Sequence, residues 1–212
     1  MSQTATLRTQ DGTNAQTVQT VELPTQAVRT TSGEIAEVPH NRYSLFDTRP
    51  LDKVTVDLFQ PSPSGERTLN NYDQMPPNAA EDTFIVGLGV SLTKAILKGA
   101  ADVDAVEFIN RIQGGIIQII RADTQAVLVE EPAQRYIDLS GLQLQGDNVV
   151  LPTVAKPVPL DEAVVIPRGI GYRIRFVMGA GAALPSAAQW NASNGSTPSI
   201  RVTANHRGNN GR

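Results

Sequence analysis

FIVGLGVSLTK, residues 84–94, sets Gly87 and Gly89 two apart, a spacing shared with the loops that cradle phosphates. A Walker loop also requires GxxxxGK followed by Ser or Thr, and a dinucleotide fingerprint requires a third glycine between a strand and a helix. GLGVSL has no third glycine and lies inside an apolar run that reads as a strand. Both glycines are therefore read as a small, flat face on which the helix near 102–112 or a neighbour's arm packs closely. Metal and nucleophile chemistry is thinly supplied. The histidines are His40 and His206, in polar segments near opposite ends, and cysteine is absent. Thiolate chemistry and sulfur-bound zinc are thereby excluded, and no GxSxG elbow presents a serine. Neither a cofactor nor a metal is expected, although oxygen-ligand clusters at Asp147 and Asn148 or at Asp161 and Glu162 stay open.

Carboxylates are the remaining route to catalysis. Asp57, Asp73, Glu130, Glu131 and Asp138 are loose candidates for the paired acid and base of glycoside hydrolysis, and they read more simply as exposed strand and turn residues. Sugar binding would want exposed rings, but only 5% of the chain is aromatic, leaving Trp190, Tyr43, Tyr72 and Tyr136 to serve, and Trp190 reads more simply as a loop anchor packed on the domain or on a neighbour. Arginines outnumber lysines, and Arg173, Arg175 and Arg201 fall on outward strand positions. Guanidinium forks suit bidentate ion pairs at protein interfaces. Arg173, Arg175, Arg201, Trp190, Gly87 and Gly89 are accordingly the interface candidates, and no enzyme activity is expected.

The elements that must position these residues are mostly strands. In LDKVTVDLF, Val54, Val56 and Leu58 alternate with polar residues. In FIVGLGVSLTK, Phe84, Val86, Leu88, Val90 and Leu92 take one side and Ile85, Gly87, Gly89, Ser91 and Thr93 the other. IIQIIRAD is apolar on both faces, as a covered strand is. AVVI-PRGIG-YRIRFVM reads as a hairpin, with Tyr172, Ile174, Phe176 and Met178 inward and Arg173, Arg175 and Val177 outward. SIRVTAN is a further strand. One helix is predicted near 102–112, with Asp104 and Glu107 as a capping box, Glu107 and Arg111 as an i,i+4 pair, and Gly114 and Gly115 as its stop. Residues 60–82 are a Pro/Asn-rich loop. The uncharged run 176–200 is read as a polar surface loop, since its prolines and amides rule out a bilayer span.

These signals predict an all-β fold: an antiparallel β-sandwich of jelly-roll type with about eight strands and one short helix. Residues 1–40 carry no aromatics and few aliphatics, so they are expected to form an N-terminal arm, disordered or ordered by neighbours. Residues 41–205 form one domain, and 206–212 a frayed tail. A net charge of −3 provides no broad basic field for nucleic acid or an anionic membrane, and MSQTATLRTQ lacks the apolar core of a secretory signal.

A polar arm, a strand, the loop NNYDQMPPNAAEDTF, the strand FIVGLGVSL and the late pair AVVIPRGIGYRIRF resemble, in layout over about residues 45–205, the jelly-roll capsid proteins of tailless icosahedral bacteriophages, including those with an internal membrane. The resemblance implies a virion shell subunit made in the host cytoplasm. Its partners would be copies of itself and other virion proteins, with an underlying membrane or the genome as a further contact and no small-molecule substrate. A cement, spike or receptor- and carbohydrate-binding sandwich is the alternative, and a hydrolase ranks last.

Overall fold

The computed structural model describes residues 4–10, 16–22, 25–31, 33–39, 42–60, 69–71, 82–93, 105–137, 144–145, 149–150, 156–194 and 196–207. In chain order the strands are β1 (Thr4–Gln10), β2 (Gln16–Glu22), β3 (Thr25–Arg29), β4 (Ile35–Pro39), β5 (Arg42–Pro50), β6 (Thr55–Leu58) and β7 (Thr83–Leu92). After helix α1 (Ala105–Gln113) come β8 (Ile116–Arg121), β9 (Val127–Pro132), a 3-10 turn at Ala133–Arg135, β10 (Leu144–Gln145), β11 (Val149–Val150), β12 (Val158–Ile166) and β13 (Tyr172–Val177). Helix α2 (Ala187–Asn194) and β14 (Ser199–Arg207) complete the order.

Eight of the strands form two antiparallel four-stranded sheets, β12-β7-β14-β5 and β6-β13-β8-β9. The fold is thus an all-β sandwich. Ile85, Leu88, Val90, Ile200, Val202 and Ala204 from the first sheet share one apolar core with Ile117, Ile119, Tyr172, Ile174 and Phe176 from the second. Burying that surface is the main favourable contribution to folding in a chain without disulfides. Phe108 and Ile112 bring α1 onto the same core.

The first forty residues, read as an arm, contain two hairpins, β1-β2 and β3-β4. Past β3 the chain reaches the sandwich: Thr30 bridges Ala163 of β12 in parallel, and the Thr31 amide donates to the Ala163 carbonyl at 3.2 Å.

Several expectations change. AVVI and YRIRFVM do not form a hairpin: β12 pairs with β7 and β13 with β6 and β8, so residues 167–171 carry the chain from one sheet to the other. Both strands turn alternate apolar residues to the same core, a demand that facing sheets meet as well as a hairpin does. The alternation in β7 is also interrupted. Asn205 lies opposite Gly87 while His206 lies opposite Ile85, leaving Val86 as an extra residue. The bulge turns Ile85 into the core and sends Phe84 and Val86 to a small second cluster with Ala163 and Val165. The run 176–200 contains α2 rather than loop alone, and β14 extends to Arg207, so His206 belongs to a strand. Helix α1 occupies 105–113, while Asp104, its expected cap, lies outside the described residues.

Candidate interface

The outer face of the β6-β13-β8-β9 sheet gathers the two neighbouring arginines. Strand register lines up Asp57, Arg175, Gln118 and Glu130 across all four strands. Arg175 donates to both Asp57 oxygens, from Nε at 2.7 Å and from a terminal nitrogen at 3.2 Å, and the row closes with Gln118 Nε2 on Glu130 Oε2 at 2.5 Å. Arg173 stands 3.9 Å from the Asp57 carboxylate. The Arg175 hydrogen bond holds the Asp57 carboxyl below its ordinary range, despite partial desolvation. The next row toward one end of the sheet, Thr55, Val177, Ile116 and Pro132, is mostly apolar.

Arg201 projects from the outer face of the other sheet, between Thr48 of β5 and Ser91 of β7. Its Nε donates to Thr48 Oγ1 at 2.9 Å, and its guanidinium lies 4.4 Å from the centre of the Phe46 ring, a cation–π geometry. All three arginines therefore face outward as expected, each half-buried and already engaged within the sheet.

A Cβ on Gly87 would stand 3.0 Å from the Val158 carbonyl oxygen and 3.6 Å from Pro159 Cα. The close neighbour is thus the backbone of β12, not the helix. Gly89 is buried and opposite Thr203.

Trp190, read as an anchor packed on the domain or on a neighbour, is packed on the domain: it is fully buried, in edge contact with Phe108 at 5.5 Å and 72°. The corrections are that it sits on α2 instead of a loop and that burial removes it from the interface candidates. The signal overlooked was Ser186 followed three residues later by Gln189, a capping box: the Ser186 amide donates to Gln189 Oε1 at 2.9 Å, and the Gln189 amide donates to Ser186 Oγ at 3.3 Å. Helix formation turns the indole inward. Tyr136 is buried as well and Tyr43 half-buried, and Tyr72 lies outside the described residues; the described residues thus present no exposed aromatic platform for a sugar.

Where the edges of the two sheets approach, a groove of about 320 Å³ is lined by Leu128, Val129, Glu130 and Glu131 of β9, Leu160, Asp161 and Glu162 of β12, and Thr31. Arg135 bridges the edges, bonding Asp161 through both guanidinium arms at 2.5 and 2.8 Å and Glu131 at 2.8 Å; the Tyr136 hydroxyl also donates to Glu131. The hydrogen bonds from Arg135 lower the Asp161 carboxyl pKa. A catalytic acid requires the opposite shift, and the arrangement is that of an ion-paired clasp. Of the other loose carboxylate candidates, Asp57 is across the sheet in the Arg175 row, while Asp73 and Asp138, like the cation-site candidates Asp147 and Asn148, lie outside the described residues. Among the described residues no three His, Cys, Asp or Glu side chains are grouped to hold a metal ion.

Sequence reasoning also missed Asp47 and His206. Asp47 is fully buried yet accepts the Phe59 amide at 2.7 Å and Arg49 Nε at 3.0 Å. Phe59 has φ of 61°, a left-handed conformation that a bulky side chain seldom adopts, so the carboxylate pins the strained end of β6 to β5. His206 packs between Tyr43 and Tyr172.

No family model, curated protein or solved structure matches the chain.

Proposed function

We propose that the chain is a structural subunit of a viral shell, a jelly roll that assembles through its arm and outward sheet faces. The carrying observation is the strand order. Counting the eight sandwich strands along the chain, the first pairs with the eighth, the second with the seventh, the third with the sixth and the fourth with the fifth. A long antiparallel ribbon rolled into two sheets would give that order, which supports reading the sandwich as a jelly roll, the architecture used by viral capsid domains, lectins and cupins.

The surroundings favour a shell over the other uses of that architecture. Two of the groove carboxylates, Glu131 and Asp161, are held by Arg135, and the Arg175 row on one outer face and Arg201 on the other provide polar, register-fixed surfaces suited to repeated subunit contacts. The hairpins β1-β2 and β3-β4 precede the sandwich, where a neighbouring copy would supply a surface for them to cover.

The test is assembly. Concentrated full-length protein, imaged by electron microscopy and sized by sedimentation, is expected to form closed particles or symmetric oligomers that are lost when residues 1–40 are removed. A chain that remains monomeric at high concentration, with and without those residues, overturns the proposal.

A further inference from the structure

His206 lies at the seam between the two sheets. Its strand neighbours are Tyr43 on β5 and Ile85 on β7. The Tyr43 ring stacks on the imidazole at 4.9 Å and 9°, and Tyr172 reaches from β13 in the opposite sheet to place its hydroxyl 2.7 Å from Nε2. This contact is therefore a polar bond between the sheets, in a position where His206 has no solvent exposure. The titratable groups facing the ring from other elements, among the described residues, are the two phenols; β7 contributes Ile85. On its own strand the next residue is the buried cation Arg207, whose side chain leaves the strand on the opposite face.

An imidazolium here would be a buried charge facing two neutral phenol rings, with no carboxylate in contact among the described residues. Such a charge is costly unless paired. The bulge between Asn205 and His206 also breaks the β14-β7 ladder at this point, so the end of β14 has a natural place to part from its neighbour.

We propose that the Tyr43–His206–Tyr172 stack is an acid-sensitive latch: protonation of His206 releases the end of β14 from β5 and β13 while the rest of the sandwich stays closed. Burial pushes the folded His206 pKa down to about 3, whereas an exposed imidazole titrates near ~6.5. The closed form binds fewer protons than the open form in that interval, so the latch is firm above the open-state value and weakens as pH falls from there toward the folded value. One proton taken up on opening makes the opening constant rise about tenfold per pH unit.

Amide exchange from pH 7 to 4.5, corrected for intrinsic rates, reads this directly. Protection at residues 204–206 and 43–45 is expected to fall about tenfold per unit below roughly pH 6, while Ile119 and Ile174 remain protected. His206→Gln should flatten the response and His40→Gln should preserve it. Unchanged protection, equal loss at Ile119 and Ile174, or a His206→Gln protein with the same pH response overturns the latch. If His206→Gln fails to fold, imidazole nitrogen NMR of the unmodified chain decides. Protonation of His206 coincident with loss of protection supports the proposal, and titration near pH 6.5 with protection retained defeats it.

Discussion

Gly87 is confined by the backbone of β12, and a backbone cannot rotate away as a side chain can. Gly87→Val is therefore expected to destabilise the fold by about 1–3 kcal/mol through overpacking, measured by denaturant unfolding. The sequence showed that this face of β7 had to be small; it could not show that the occupant was Val158 and Pro159, some seventy residues later. Asp47 is a second sensitive residue. Removing its carboxylate in Asp47→Ala leaves the Phe59 amide and Arg49 without that acceptor, an expected loss of about 2–3 kcal/mol for charge-assisted hydrogen bonds. A loss confined to Phe59 strain would be relieved in the Asp47→Ala/Phe59→Gly double variant, a comparison that unfolding curves can make. Asp47 was not legible in advance because a lone aspartate in an alternating strand reads as an outward residue unless its inward partners are known.

Helix α2 depends on a short local signal, and its one large side chain, Trp190, depends on the helix. Ser186→Ala should lose about 1 kcal/mol, the usual worth of an N-cap, with a matching increase in quenching of the Trp190 fluorescence as the indole loosens. Trp190→Ala, which empties the site against Phe108, should lose roughly 3–5 kcal/mol. Helix α1 has a different task. Glu107 accepts the Ala182 amide at 3.0 Å, and Arg111 donates to the Gly179 carbonyl at 3.1 Å and to that of Ala182, so the two side chains expected to pair along the helix both hold the segment leading out of β13. Close approach there requires Gly115, where a Cβ would meet the Val177 carbonyl oxygen at 2.6 Å. Strands with strict period two, such as β13, were readable because burial on one face writes itself into every second residue. The β12–β13 connection was misread because five turn residues serve a hairpin and a sheet-to-sheet crossing equally well.

At the scale of the whole molecule, the all-β sandwich was legible from alternation and turn residues, whereas strand order was not, since pairing joins residues far apart in sequence. The ends of the domain were obscured for the same reason. HRGNNGR has the composition of a fraying tail, yet His206 and Arg207 pair with Tyr43 and Arg42, partners more than 160 positions earlier. The position of β14 has a consequence for biosynthesis. It is the latest-made of the eight sandwich strands and sits between β7 and β5, so until residue 207 has left the ribosome β5 lacks its partner in the sheet and β7 can pair only with β12. Closing the sandwich must therefore await synthesis through β14, and its rate should be set by long-range loop closure, in the slow range of domains dominated by non-local pairings. Until then β5 and β7 each present an open edge to other nascent chains. Dilution and chaperone capture during translation, more than any stabilising substitution, are expected to set the yield of soluble protein, and pulse-labelled nascent chains arrested before and after residue 207 would reveal the step.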